Sequence, residues 1–182
     1  GGRKSATLAF ILKNLFIRRK NIELLAVIID EGKKTCPTAE QAVHMAEQLD
    51  IAYTVMSLPI LQDQETPQII SSALKTKLLL RAAKENQAAI LATGETLDDE
   101  ARDIFMSLLQ GDADAVISGA SLREEQTVAW IKPLRRIPEK EVRLYALGRH
   151  LGFDDADEMP DTDGLRREAK RLLGDFDRRH PG

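Results

Sequence analysis

Short, unbroken runs of aliphatic and β-branched residues alternate along this chain with longer segments whose apolar residues recur every three or four positions. The runs at 22–29, 51–58, 88–92 and 128–131 read as strands, and the first of them as a strand buried on both faces. The segments at 5–19, 37–49, 67–85, 98–109, 139–150 and 165–178 read as helices. Leu8, Ile11, Leu12, Leu15 and Phe16 make one face of the first helix. Strands separated by helices of this length need crossover connections. The expected fold is therefore α/β, a doubly wound, largely parallel sheet with helices on both faces. Ligands of such sheets sit beyond the carboxyl ends of the strands. That directs attention to the residues after Ile29, Ala92 and Ile131 and to the start of the first helix.

A chain of 182 residues, 43% hydrophobic and 30% charged, is long enough for one real core. Residues 1–152 are expected to form the main domain, and 153–182 an acidic loop and helix packed on it. The formal net charge of −3 excludes coating nucleic acid by bulk electrostatics, so any such contact must be regional. No apolar run approaches the roughly 20 residues that cross a bilayer. The N-terminal apolar stretch carries Lys13, Arg18 and Arg19 and does not read as a signal peptide, so no membrane association and a cytoplasmic location are expected. The one cysteine, Cys36, excludes a disulfide within the chain and a thiolate-only metal cage drawn from it. His44, His150 and His180 are scattered without metal-ligand spacing, and Trp130 falls inside an apolar strand, where a core role is expected.

Two segments have the composition of sites. Gly1, Gly2, Arg3, Lys4 and Ser5 open a helix, where glycines let backbone amides approach an anion and the helix terminus attracts it. The bland reading is a flexible end with Ser5 as the N-cap. A glycine loop of this kind normally follows a strand, which leads to the expectation of a missing upstream strand. The second segment is 93–101, TGETLDDEA, directly after a buried strand. Gly94 allows close backbone approach, and Asp98 and Asp99 offer oxygen ligands to magnesium or to a ribose. The competing reading is helix capping by Thr96 or Asp98, with acids stabilising the first turn; location at a strand end favours the functional one. Arg135, Arg136, Arg143 and Arg149, with Arg166, Arg167, Lys170 and Arg171, are candidates for a regional RNA-backbone surface. Interleaved Glu139, Glu141 and Glu168 also allow plain salt-bridged helix faces.

The order of these features is specific. The glycine loop, then IDEG at 29–32, TGETLDDEA at 93–101, KPL at 132–134 and IPEKEV at 137–142 resembles the PP-loop ATP pyrophosphatases, in particular their tRNA-thiolating branch, the 2-thiocytidine and 2-thiouridine synthetases. The resemblance continues through EMP at 158–160, LRRE at 165–168 and RHPG at 179–182. It implies ATP and Mg2+ as cofactors and tRNA as substrate. A tRNA base oxygen attacks the α-phosphate, pyrophosphate leaves, and a sulfur donor displaces the adenylate. By the same resemblance Gly1, Gly2, Lys4 and Ser5 cradle phosphate, and Asp30 lies beside the nucleotide. Lys75 reaches the phosphates as a catalytic cation, Gly94 and Asp98 border the adenosine, and Asp99 is the catalytic and metal-binding carboxylate. Arg135, Arg136, Arg166 and Arg167 are expected to face tRNA. A sulfur-carrier partner and a homodimer are further implications.

The departures count as much as the matches. The family loop reads S-G-G-x-D-S, and its aspartate position here holds Lys4, which stands against magnesium. Glu95 and Thr96 replace the histidine and asparagine usual after T-G. Positions where the thiolating branch carries cysteines hold Gln68, Ser71 and Met159, so no iron–sulfur cluster is expected. Three readings remain: an active adenylating enzyme, a relative with lost or altered catalysis, and a non-enzymatic nucleotide-sensing module of universal-stress-protein-like architecture. Lys4 and the missing cysteines favour the second, and the 132–142 match favours the tRNA branch over the third.

Overall fold

The computed structural model describes residues 2–30, 38–58, 68–111, 128–151 and 164–180. Gly1, Cys36 and the whole acidic segment 153–163 lie outside them, as does the side chain of Arg166. In chain order the elements are α1 (Arg3–Phe16), β1 (Leu25–Asp30), α2 (Thr38–Gln48), β2 (Ala52–Ser57), α3 (Gln68–Glu85), β3 (Ile90–Ala92), α4 (Leu97–Leu109), β4 (Ala129–Ile131), α5 (Glu139–Gly148) and α6 (Gly164–Arg179). This is the expected α/β alternation. The described strands form two parallel pairs, β1 with β2, in register Leu25↔Ala52 to Asp30↔Ser57, and β3 with β4, in register Ile90↔Ala129 to Ala92↔Ile131.

Helix ends follow from local chemistry. α2, α3 and α5 each close on a residue with positive φ, namely Asp50, Gln87 and His150. In each case the next amide bonds back five residues: Ile51 N to Ala46 O, Ala88 N to Ala83 O and Leu151 N to Ala146 O. The chain is thereby turned off the helix axis, after α2 and α3 toward the following strand. His150 has this turn role and is exposed.

The core lies where helices meet at the strand ends. Ala6 of α1, Met45 of α2, and Ala146 and Leu151 at the end of α5 form one cluster, with Phe10 and Leu49 against it. Leu8, Leu134 and Val142 form a second, packed on Ile11, Leu12 and Ala92. Ala83, Leu91 and Val128 form the third, with Trp130 beside it. α1 is therefore held by its first two turns. Its last turn lies beyond that cover, so Leu15, on the expected apolar face of the helix, is 64% exposed. In β1, expected to be buried on both faces, only Ile28 is fully buried and Leu25 is exposed. The final helix α6 packs on α4. No helix among the described residues is long and apolar enough to cross a membrane.

Candidate functional site

α1 begins two residues earlier than its sequence pattern suggests. Gly2 is the N-cap in an extended conformation, and Ala6 N bonds to Gly2 O at 3.2 Å. Ser5 is thus an exposed first-turn residue, not the cap. The first-turn amides of an α-helix have no acceptor within it and give that end partial positive charge.

The bend after β3 is laid directly on this helix end. A Cβ built on Gly94 would stand 3.0 Å from the carbonyl carbon of Lys4 and 3.1 Å from both Lys4 O and Ser5 N. Only a residue without a side chain lets the two backbones meet so closely. Thr93 N donates to Ile131 O at 3.0 Å and Leu97 N to Ile137 O at 3.0 Å, which fixes both ends of the bend. Trp130 Nε1 donates to Thr93 Oγ1 at 2.7 Å, so this tryptophan, expected to be simple core, also holds the bend.

Thr96, fully buried, caps α4, and Asp99 completes a capping box with it. Asp99 Oδ2 accepts from both Thr96 N and Thr96 Oγ1 at 2.9 Å. Lys4 Nζ donates to the two Asp99 oxygens at 2.9 and 2.8 Å, and Arg102 donates to Oδ1 at 2.9 Å. Asp98, exposed, accepts the Glu139 amide at 2.6 Å. Glu100 accepts from Lys132 and faces Arg135 at 3.9 Å. The first turn of α4 therefore ties together α1, the end of β4 and α5. Of the expected site residues, Gly2, Lys4, Ser5, Gly94, Asp98 and Asp99 come together here. Asp30 closes β1 opposite Ser57, and half-buried Lys75 sits on α3; both belong to other elements. Arg135 and Arg136 are exposed in the turn before α5, and Arg167 is exposed on α6. Gly1 is outside the described residues.

Magnesium is held by carboxylate oxygens and keeps several of its waters. Both Asp99 oxygens already face two cations and a helix cap, and no group of three or more His, Cys, Asp or Glu able to hold a metal occurs among the described residues. The donor set does not fit a magnesium site. The sequence pattern that places Arg102 here is its position three residues after Asp99 on a helix, a spacing that brings the two side chains together. Glu95 Oε2 is buried and has no hydrogen-bond partner among the described residues, at the edge of the same bend.

Burial pushes the Asp99 carboxyl up, but the Lys4 charge and hydrogen bond, with the Thr96 amide and hydroxyl, outweigh it and hold Asp99 below the ordinary 3.8. A folded-state value below the unfolded one adds stability that is fully present above the unfolded value and lost as pH falls through the folded one. The stability gap between wild type and Asp99→Asn is therefore expected to stay level from neutral pH to about 5 and to shrink below about 4. Urea unfolding at a series of pH values checks this, and a gap that grows on acidification contradicts it.

The match to the PP-loop domain model covers residues 1–171. The tRNA 2-thiolation protein NcsA of Haloferax volcanii is 31% identical over 205 residues, covering 100% of this chain and 64% of that protein. A tRNA-cytidine(32) 2-sulfurtransferase of Methylococcus capsulatus is 28% identical, covering 100% of this chain and 66% of its own length. The solved U34-tRNA thiolase NcsA of Methanococcus maripaludis, described with its [4Fe-4S] cluster, superposes with a TM-score of 0.86 at 28% identity. It covers 100% of this chain, which spans 64% of that one. The chain thus spans less than two thirds of these relatives.

That structure corrects the expectation that no iron–sulfur cluster accompanies a chain of this type. The expectation counted cysteines in this chain, and a count bounds only the ligands that these residues supply. Within the chain the donor set is Cys36 alone, which lies outside the described residues and does not make the cysteine set of a cluster.

Proposed function

This chain belongs to the PP-loop domain family, and from that premise we propose that it binds an adenine nucleotide where the α1 N-terminus meets the bend at 93–99, in the service of tRNA thiolation. One observation carries the reading: Gly94 sets the bend against the Lys4–Ser5 backbone, so amides with no acceptor inside the helix and a strand-end turn share one edge. Strand ends are where ligands of α/β folds sit. The phosphates lie at Gly2, Lys4 and Ser5, with Lys75 reaching them from α3. The adenosine borders Gly94, and the unpartnered Glu95 oxygen accepts from one of its hydroxyl or amino donors. Asp30 bounds the nucleotide from the end of β1.

In the reaction performed by such a protein, a tRNA base oxygen attacks the α-phosphate and pyrophosphate leaves with the electron pair of the broken P–O bond. A sulfur donor then adds to the activated carbon and expels AMP. Arg135, Arg136 and Arg167 present charge to the tRNA backbone. The donor is free sulfide, or a partner's persulfide whose terminal sulfur adds to the base and whose S–S bond is then cut by a second thiol of that partner, which leaves as a disulfide; Cys36 alone cannot both supply sulfur and be regenerated within this chain. The setting is the cytoplasm, where tRNA is modified. With Asp99 committed to Lys4, catalysis is weakened relative to the thiolating relatives while nucleotide binding is retained.

Calorimetry with ATP and AMP tests the binding. Saturable heat with both nucleotides is expected, and no heat at millimolar ligand removes the reading. Pyrophosphate release with bulk tRNA is expected to be absent or slow. Rapid, tRNA-dependent release would show that catalysis is intact.

A further inference from the structure

The acidic turn that opens α4 has the composition of a cation site, yet each of its three carboxylates already accepts from a protein donor. Asp98 takes the Glu139 amide, Asp99 takes Lys4, Arg102 and Thr96, and Glu100 takes Lys132 with Arg135 close by. A divalent ion arriving at Asp99 would have to displace Lys4 and then sit beside Arg102, held 2.9 Å from the same carboxylate. Lys4 is itself fixed on three sides. Its backbone lies against Gly94, its ammonium spans both Asp99 oxygens, and Glu139 stands 3.7 Å from it.

We propose that Lys4 is the resident cation of this site, filling the place between α1 and α4 that a divalent ion would take, so that the chain accepts its nucleotide as the metal-free anion. The nucleotide half rests on the function proposed above; the metal half stands on the geometry alone. A magnesium–nucleotide complex brings a hydrated dication toward Lys4 and Arg102, which repel it, and carries less negative charge toward the α1 amides. Free nucleotide meets neither obstacle.

The sole tryptophan reports on the bend, because Trp130 is bonded to Thr93 at its start. In the first arm, without nucleotide, Mn2+ is titrated against Trp130 fluorescence and Mg2+ against thermal unfolding. Wild type is expected to show no saturable quenching and a Tm within about 1 °C of its value in EDTA. Lys4→Asp, which sets two carboxylates together, is expected to melt lower in EDTA and to recover with Mg2+. Saturable Mn2+ quenching of the wild type that Asp99→Asn abolishes would overturn the proposal, and this titration decides even if Lys4→Asp does not fold. In the second arm ATP is titrated in EDTA and in excess Mg2+. Binding about tenfold tighter in EDTA is expected; equal or tighter binding with magnesium overturns the proposal. Calorimetric binding absent under both conditions refutes the nucleotide half and leaves the first arm to judge the metal half.

Discussion

Asp99→Asn is expected to cost about 3 kcal/mol of folding stability and to lower Tm by roughly 10 °C. The side chain is 15% exposed and accepts from Lys4, Arg102 and both donors of Thr96. An asparagine keeps one acceptor for the cap but has no charge. Lys4 and Arg102 are then left facing each other, and removing one partner of a buried pair costs roughly 3–5 kcal/mol. The lower end applies because Lys4 keeps 33% of its side-chain surface in water, which screens it. Lys4→Met should cost less, about 1 kcal/mol, since Asp99 retains Arg102 and the Thr96 donors. The double variant should be more stable than the sum of the two single losses, since it leaves Arg102 without its carboxylate but no longer sets the Lys4 charge beside it. Strict additivity in urea unfolding would mean that the two residues do not pair. A neutral Asp99→Asn would mean that the carboxylate does not hold α1 and α4 together.

Much of the skeleton on which that pair stands was legible in the sequence. Helices expected at 98–109, 139–150 and 165–178 are observed at Leu97–Leu109, Glu139–Gly148 and Gly164–Arg179. Their periodic apolar positions and flanking turn residues are local signals. The strand ends also lie as expected, with the bend directly after Ala92. The position of Leu15 was not legible, because helical periodicity names a face but not how far along the helix its neighbours reach.

The site divides in the same way. Topology singled out the start of the first helix and the bend after β3, and these two segments meet at Lys4 and Gly94. The use of Asp99 did not follow, because its partner is 95 residues away and no local pattern encodes such a pairing. Half of the answer was nevertheless present. Threonine followed three residues later by an acid is the spacing of a capping box, and it gives Asp99 a structural use before any metal is invoked. The other half was the charge reversal at Lys4. A cation where a carboxylate is usual asks for a carboxylate partner, and Asp99 supplies it. A cysteine count likewise speaks only for the residues counted, and it could not decide what accompanies a fold whose solved relative carries a [4Fe-4S] cluster.

Gly94→Ala tests the meeting of the two backbones and is expected to weaken both stability and binding. The new Cβ would meet the Lys4 carbonyl carbon at 3.0 Å and Lys4 O and Ser5 N at 3.1 Å. All three are backbone atoms, so no side-chain rotation relieves the contact. The helix end or the bend must move by a few tenths of an ångström. Overpacking of this kind costs about 1–3 kcal/mol. The same displacement opens the edge that the nucleotide is proposed to bridge, and small misplacements of binding groups cost disproportionately, here at least about tenfold in ATP affinity. Gly174→Ala is the matched control. It lies inside α6 with nothing within 4 Å of its Cβ position, so alanine there should stabilise by about 0.5–1 kcal/mol through helix propensity alone and leave ATP binding unchanged. Equal ATP affinity for Gly94→Ala and wild type, in a protein shown by unfolding to be intact, would mean that the nucleotide does not lie across this contact.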